Sequence, residues 1–108
     1  MQAMFQSTHL FNQPLGNWIT SSVTTMNSMF SSTKKFNQPL GNWTTSSVTD
    51  IVQMFYYAEG FNTPVDGWDT SRINSLHQAF RAAFSFNQRL DTWDTSNVVD
   101  MSYMFDRG

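Results

Sequence analysis

Four aspartates, Asp66, Asp69, Asp91 and Asp94, come nearest in type and spacing to doing chemistry in this sequence. They fall in two pairs three residues apart, and the second pair follows the first by 25 residues. If the chain coils with that period, one pair lies over the other. Carboxylates so gathered repel, unless they spread into solvent or share a hard cation such as calcium. The spacing matches no calcium-loop pattern, and the first two repeats hold Gly16, Ile19, Gly41 and Thr44 at the same columns. They are the only metal candidates. His9 and His77 lie in variable columns without Cys or carboxylate partners at ligand spacing, so they read as solvated side chains. No serine sits in a Gly-x-Ser-x-Gly elbow. No catalytic residue or cofactor is expected, and the chain reads as non-enzymatic.

What positions these residues is a repeat. Trp18, Trp43, Trp68 and Trp93 recur every 25 residues, as do Phe5, Phe30, Phe55, Phe80 and Phe105. A fixed period in this range signals a stacked array in which no single unit buries its own apolar face. Residues 1–10 end one repeat, 11–35, 36–60 and 61–85 are complete, and 86–108 is cut short. The chain therefore reads as a single segment of a longer array. Asn12, Asn37, Asn62 and Asn87 form a further column, expected to face inward and to satisfy backbone groups of the adjacent coil.

Within a repeat, Val23, Met26, Met29 and Phe30 are spaced three, three and one, which describes one face of a short helix. Ser21 or Ser22 stands where an N-cap belongs. In later repeats Ser47 and Asn97 precede Asp50 and Asp100 by three, completing the cap with an acid. Pro14, Pro39 and Pro64 exclude helix from the preceding segment. The Gly, Asp and Asn after each Leu or Val favour a turn. A short extended piece around each Trp remains. The expected fold is an α/β solenoid with one short strand and one short helix per 25-residue coil.

The unit Phe-Asn-Gln-Pro-Leu-Gly-Asn-Trp-x-Thr-Ser-Ser-Val-Thr-x-Met-x-x-Met-Phe resembles the repeat of BspA-like leucine-rich-repeat surface proteins, over the whole chain. Arg89 stands for the Pro, Ala79 for the Met and Arg72 for the second Ser. The resemblance implies a leucine-rich-repeat-like solenoid, extracellular or cell-surface display, and adhesion or protein binding. This chain carries no signal peptide.

Charge separates the two halves. Residues 1–49 hold Lys34 and Lys35 and no acid, whereas residues 50–108 hold four Arg against eight acids. With 13% charged residues and a net charge of −2, nothing points to nucleic acid. No apolar run is long enough to insert in a membrane, and without cysteine there is no disulfide.

Partner specificity is expected in the variable columns, where Lys34, Lys35, Tyr56, Tyr57, Arg81 and Phe84 stand. The partner would be a protein or host-surface ligand, met by an aromatic patch of Tyr56, Tyr57 and Phe84 on this chain. The same aromatics would otherwise only close gaps between coils. The alternative function is end-to-end self-association into a longer array. Met1, Met4 and Phe5 at one end, and Trp93, Met101 and Phe105 at the other, would then be uncovered ladder ends. Asn42-Trp43-Thr44 also fits an N-glycosylation sequon.

Overall fold

Residues 23–33 read Val-Thr-Thr-Met-Asn-Ser-Met-Phe-Ser-Ser-Thr. Their apolar spacing suits a helix, but Ser, Thr and Asn hold backbone groups in turns as readily as in helices. In the computed structural model, which describes residues 2–106, the turns win. The N–H groups of Met26, Ser28, Phe30 and Ser32 leave the repeat and donate to the carbonyls of Asp50, Val52, Met54 and Tyr56, at 2.7–3.2 Å. Between them, Met29, Ser31 and Thr33 donate three residues back, at 3.1–3.2 Å. The same alternation joins Ile51–Tyr57 to Ser75–Arg81, and Leu76–Ala82 to Asp100–Asp106.

Such a zigzag needs left-handed backbone at fixed places. Ser28, Gln53, Gln78 and Tyr103 lie at φ 55–57°, and Ser32, Tyr57 and Ala82 at 55–61°. No α-helix contains residues of that kind. The helix expected from Val23 is therefore absent, along with its N-caps. The strand expected around each Trp is absent too. Among the described residues, extended pairing amounts to single parallel bridges linking Thr25, Asp50, Ser75 and Asp100 in succession.

The rest of each repeat is also built of turns. Trp18, Trp43, Trp68 and Trp93 donate backbone N–H to the Leu or Val three residues before. Val23, Val48, Ile73 and Val98 do so to the invariant Thr. That Thr caps nothing. The buried Thr20 hydroxyl donates to the carbonyl of Thr44 and accepts its N–H, at 3.1 and 3.0 Å.

Turn on turn, the repeats bury three aromatic columns. Phe30 stacks at 4.2 Å on Phe36, which opens the next repeat, and at 5.7 Å on its counterparts Phe5 and Phe55. Trp43 tilts against Phe30 at 6.2 Å. Each such pair contributes about 0.5–1.5 kcal/mol beyond the area it buries. The result has a radius of gyration of 12.3 Å and extents of 34 × 31 × 22 Å. A compact domain of 100 residues measures about 13 Å. The leucine-rich-repeat-like α/β solenoid, and both of those terms, are thus corrected. The described residues form a compact body of hydrogen-bonded turns, with neither the helix nor the strand that such a repeat requires among them.

One substitution pair separates the two folds. In a helix, Val is better tolerated than Gly, but at left-handed φ a β-branched residue is strained by about 1–2 kcal/mol. Ser32, at φ 61°, is the test position. Ser32→Val is expected to lower stability to chemical denaturation by about that amount, with Ser32→Gly neutral or stabilising. The reverse order would restore the helix.

Candidate functional site

The turn ladder turns its Met and Phe inward and its intervening residues outward. Tyr56 and Tyr57 meet edge to face on that outer side, with centroids 4.7 Å apart, and both are half-buried. Gln53 donates its amide to Gln78 one repeat on, at 2.5 Å. Arg81 reaches the last repeat. Its guanidinium lies 5.4 Å from the Tyr103 ring centroid and its Nε 3.1 Å from Asp106 Oδ2. That Nε makes no aligned hydrogen bond, so the contact is an ion pair alone. Of the partner candidates, Tyr56, Tyr57 and Arg81 share this ladder face. Lys34, Lys35 and Phe84 lie at the next corner and are all exposed. There the Gly60 backbone passes so close to the preceding repeat that a Cβ would stand 2.8 Å from the Lys34 carbonyl oxygen. No other residue type fits without moving backbone.

The same face holds a grouping that the sequence reading missed. His77 Nδ1 lies 2.7 Å from Ser102 Oγ and 3.8 Å from Asp100 Oδ2. A Ser, a His and an Asp invite comparison with a nucleophilic triad, but the protons run the wrong way. The Ser102 hydroxyl donates to Asp100 Oδ1 at 2.6 Å, which leaves its oxygen to accept from His77. A triad needs the imidazole to take the serine proton, with the acid on the other ring nitrogen. The only advance signal was the 25-residue step from His77 to Ser102.

Three of the four calcium candidates are engaged within the chain. Asp69 Oδ1 accepts the N–H and hydroxyl of Ser71 at 3.0 and 2.7 Å. Asp94 Oδ1 does the same with Ser96, at 2.9 and 2.6 Å. Asp91 pairs with Arg89 at 2.8 Å. Asp66 is exposed. Among the described residues no three acidic or imidazole side chains are grouped to hold a metal. Hydrogen bonds from Ser71 and Ser96 hold the Asp69 and Asp94 carboxyls below the ordinary range, and the Ser102 hydroxyl does the same for Asp100.

The ladder residues divide by chemistry. Phe30, Phe55 and Phe80 are core. Trp43, Trp68 and Trp93 are buried, and each donates its indole N–H to the Leu15, Leu40 or Val65 carbonyl at 2.9–3.0 Å. Trp93 is therefore no uncovered ladder end, and Met1 lies outside the described residues. Trp18 is the exception, 39% exposed against 4% for Trp43 and Trp68. The asparagine column does not face inward. Asn12, Asn37 and Asn87 are exposed and Asn62 half-buried. Their structural use is nonetheless clear. The Oδ1 atoms of Asn12, Asn37 and Asn62 accept the N–H of Asn37, Asn62 and Asn87 at 2.8–2.9 Å. Beside Trp18 opens a groove of about 400 Å³, lined by Pro14, Gly16, Asn17, Trp18, Pro39 and Asn42.

Fold and surface together define a tandem-repeat protein of cross-bonded turns with its variable residues outward. The chain belongs to the family described as "Mycoplasma protein of unknown function, DUF285", whose pattern it matches over residues 1–72 and again over 63–108. No curated protein and no solved structure matches it.

The serine hydrogen bonds have a consequence in acid. A carboxyl lowered in the folded state stabilises fully above its unfolded value, near the ordinary 3.8, and that contribution is lost as pH falls through the lower folded value. Ser96→Ala is expected to raise the Asp94 titration midpoint toward 3.8, followed by carboxyl carbon NMR. An unmoved midpoint would remove Ser96 as the cause.

Proposed function

We propose that this chain is a non-enzymatic repeat scaffold that binds another protein through the outward residues of its variable columns. One observation carries the reading. The fixed Phe, Trp, Met, Thr and Asn columns are consumed by the core and by repeat-to-repeat bonds, while the remaining columns, exposed at Lys34 and Phe84 and half-buried at Tyr56, Tyr57 and Glu59, change chemistry from repeat to repeat. Lys34, Glu59 and Phe84 occupy one column, and the Tyr56–Tyr57 pair replaces Ser31–Ser32. Tyrosine on an outer face, apolar in body and polar at its tip, is the residue that protein interfaces favour. The direction of the Ser102 hydrogen bond further favours binding over catalysis. Extracellular or cell-surface display belongs to the same proposal and rests on the resemblance to BspA-like proteins. The family match adds no support for display or for adhesion.

A second reading, end-to-end assembly, is favoured by the ladder ends. Met4, Met101 and Phe105 are 51%, 49% and 51% exposed, whereas Met29, Met54 and Phe55 are fully buried. A further repeat, from the same polypeptide or from another copy, would cover them.

Two measurements separate the readings. Serine already serves both positions in the preceding repeat, and Ser32 shares the left-handed backbone of Tyr57. Tyr56→Ser/Tyr57→Ser is therefore expected to keep its Tm. Cross-linked against host-surface proteins, it should lose the wild-type partner by about tenfold or more, as removal of an interface anchor does. Equal recovery, or a collapsed Tm, would count against the scaffold reading. Light scattering across a concentration series is expected to show a constant mass. Growth with concentration would put assembly first.

A further inference from the structure

Asp66 stands apart from the other aspartates in two independent ways. Every other aspartate has a carboxylate that is engaged. Asp50 accepts from Thr25, while Asp69, Asp94 and Asp100 each accept from a serine two residues on. Asp91 pairs with Arg89 and Asp106 with Arg81. The Asp66 carboxylate accepts no hydrogen bond and makes no ion pair among the described residues. Asp66 is also the only Asp or Asn in the chain that precedes a glycine. Gly67 shares its open setting. Both residues are exposed, and the Gly67 N–H donates to nothing among the described residues. A Cβ built on Gly67 would meet no atom within 4 Å.

We propose that Asp66–Gly67 is a covalent modification site, at which the folded chain isomerises spontaneously to isoaspartate. The Gly67 nitrogen attacks Asp66 Cγ and closes a five-membered succinimide. The carboxyl hydroxyl and the amide proton leave together as water. Water then re-enters at either ring carbonyl. Opening at Cγ restores Asp66, and opening at the α-carbonyl leaves the chain running through the former side chain. Nothing is oxidised or reduced, and no co-reactant beyond water is needed. Each observation bears on the first step. A Cβ on the following residue crowds the attacking nitrogen, and glycine has none. A carboxylate or an N–H held in a hydrogen bond would first have to give up its partner, and here neither has one.

The product reaches into the seam between repeats. The Thr92 hydroxyl donates to the Asp66 carbonyl at 2.7 Å, and the Trp68 N–H closes the turn on the Val65 carbonyl at 3.2 Å. In isoaspartate the Asp66 carbonyl becomes a free carboxylate and the turn gains one backbone carbon. The chemistry is confined to this turn of the array. The fourth repeat carries Asp91–Thr92 in the same columns, where Arg89 holds the acid and a branched Cβ follows it. The first two repeats carry Gly16–Asn17 and Gly41–Asn42, with the bulk of a tryptophan after each Asn.

The test holds the full folded chain at mildly acidic pH and body temperature, with circular dichroism to follow the fold. Isoaspartate is then labelled by an isoaspartyl carboxyl methyltransferase with a labelled methyl donor and located by peptide mapping. Asp66 is expected to be the main methyl acceptor, with several times the label of Asp91, preceded by a species lighter by one water. Gly67→Thr copies the Asp91–Thr92 pair into open space, so it should keep its Tm and lose most of that label. No label at Asp66 in the folded chain overturns the proposal, as does equal label at Asp91 or undiminished label in Gly67→Thr. Label found only when the chain is held in denaturant also overturns it, because the fold would then protect the turn. The separated isoaspartyl form should melt below the parent, and an equal Tm would overturn the effect on the seam.

Discussion

Everything in this molecule depends on where the backbone N–H groups of the segment after each Val go. In a helix each N–H beyond the first turn would find a carbonyl four residues back. Here alternate N–H groups cross to the next repeat, and those between turn back three residues. Cross-bonding on this scale needs a neighbour, so one repeat alone leaves half of these donors unpaired, at about 1–3 kcal/mol for each that is buried. Repeat and stack are therefore a single cooperative object. The left-handed residues at Ser28, Ser32 and their counterparts are the local strain that this arrangement tolerates.

The side chains follow from that ladder. With the backbone zigzagging, Met and Phe point to one side and stack at a spacing of 5.3–5.7 Å along the Phe30 column. The polar residues between them point outward. The Asn column and the invariant Thr tie repeats together at two further places, each with hydrogen bonds to backbone. With the indole N–H groups, which donate to the preceding repeat, at least four seams hold one repeat to the next. The outer face carries some contacts between repeats, Gln53 to Gln78 and Arg81 to Asp106 among them, yet its residues vary from repeat to repeat. Tyrosines replace serines there, and Lys, Glu and Phe share a column.

The variable columns were legible in the sequence, but not whether Tyr56, Tyr57 and Phe84 in them face outward or close gaps. The structure leaves Phe84 exposed and the two tyrosines half-buried. The Ser102–His77–Asp100 grouping was missed because its members belong to adjacent repeats and only the ladder brings them together. The aspartates looked like a cation site when taken as a column. Two of them are instead closed by a serine two residues on, a local contact that column stacking does not reveal.

The sequence by itself determined the period, the register, the Phe, Met and Trp columns of the core and the turn that follows each Leu or Val before Trp. These depend on residue identity at fixed spacing, and 25-residue recurrence supplies that directly. Only the tertiary structure decided the conformation of residues 23–33 and of their counterparts. Apolar spacings of three, three and one serve the face of a helix and a chain of turns equally well. The choice between them falls to the hydrogen-bond partners, and half of those partners lie in the next repeat.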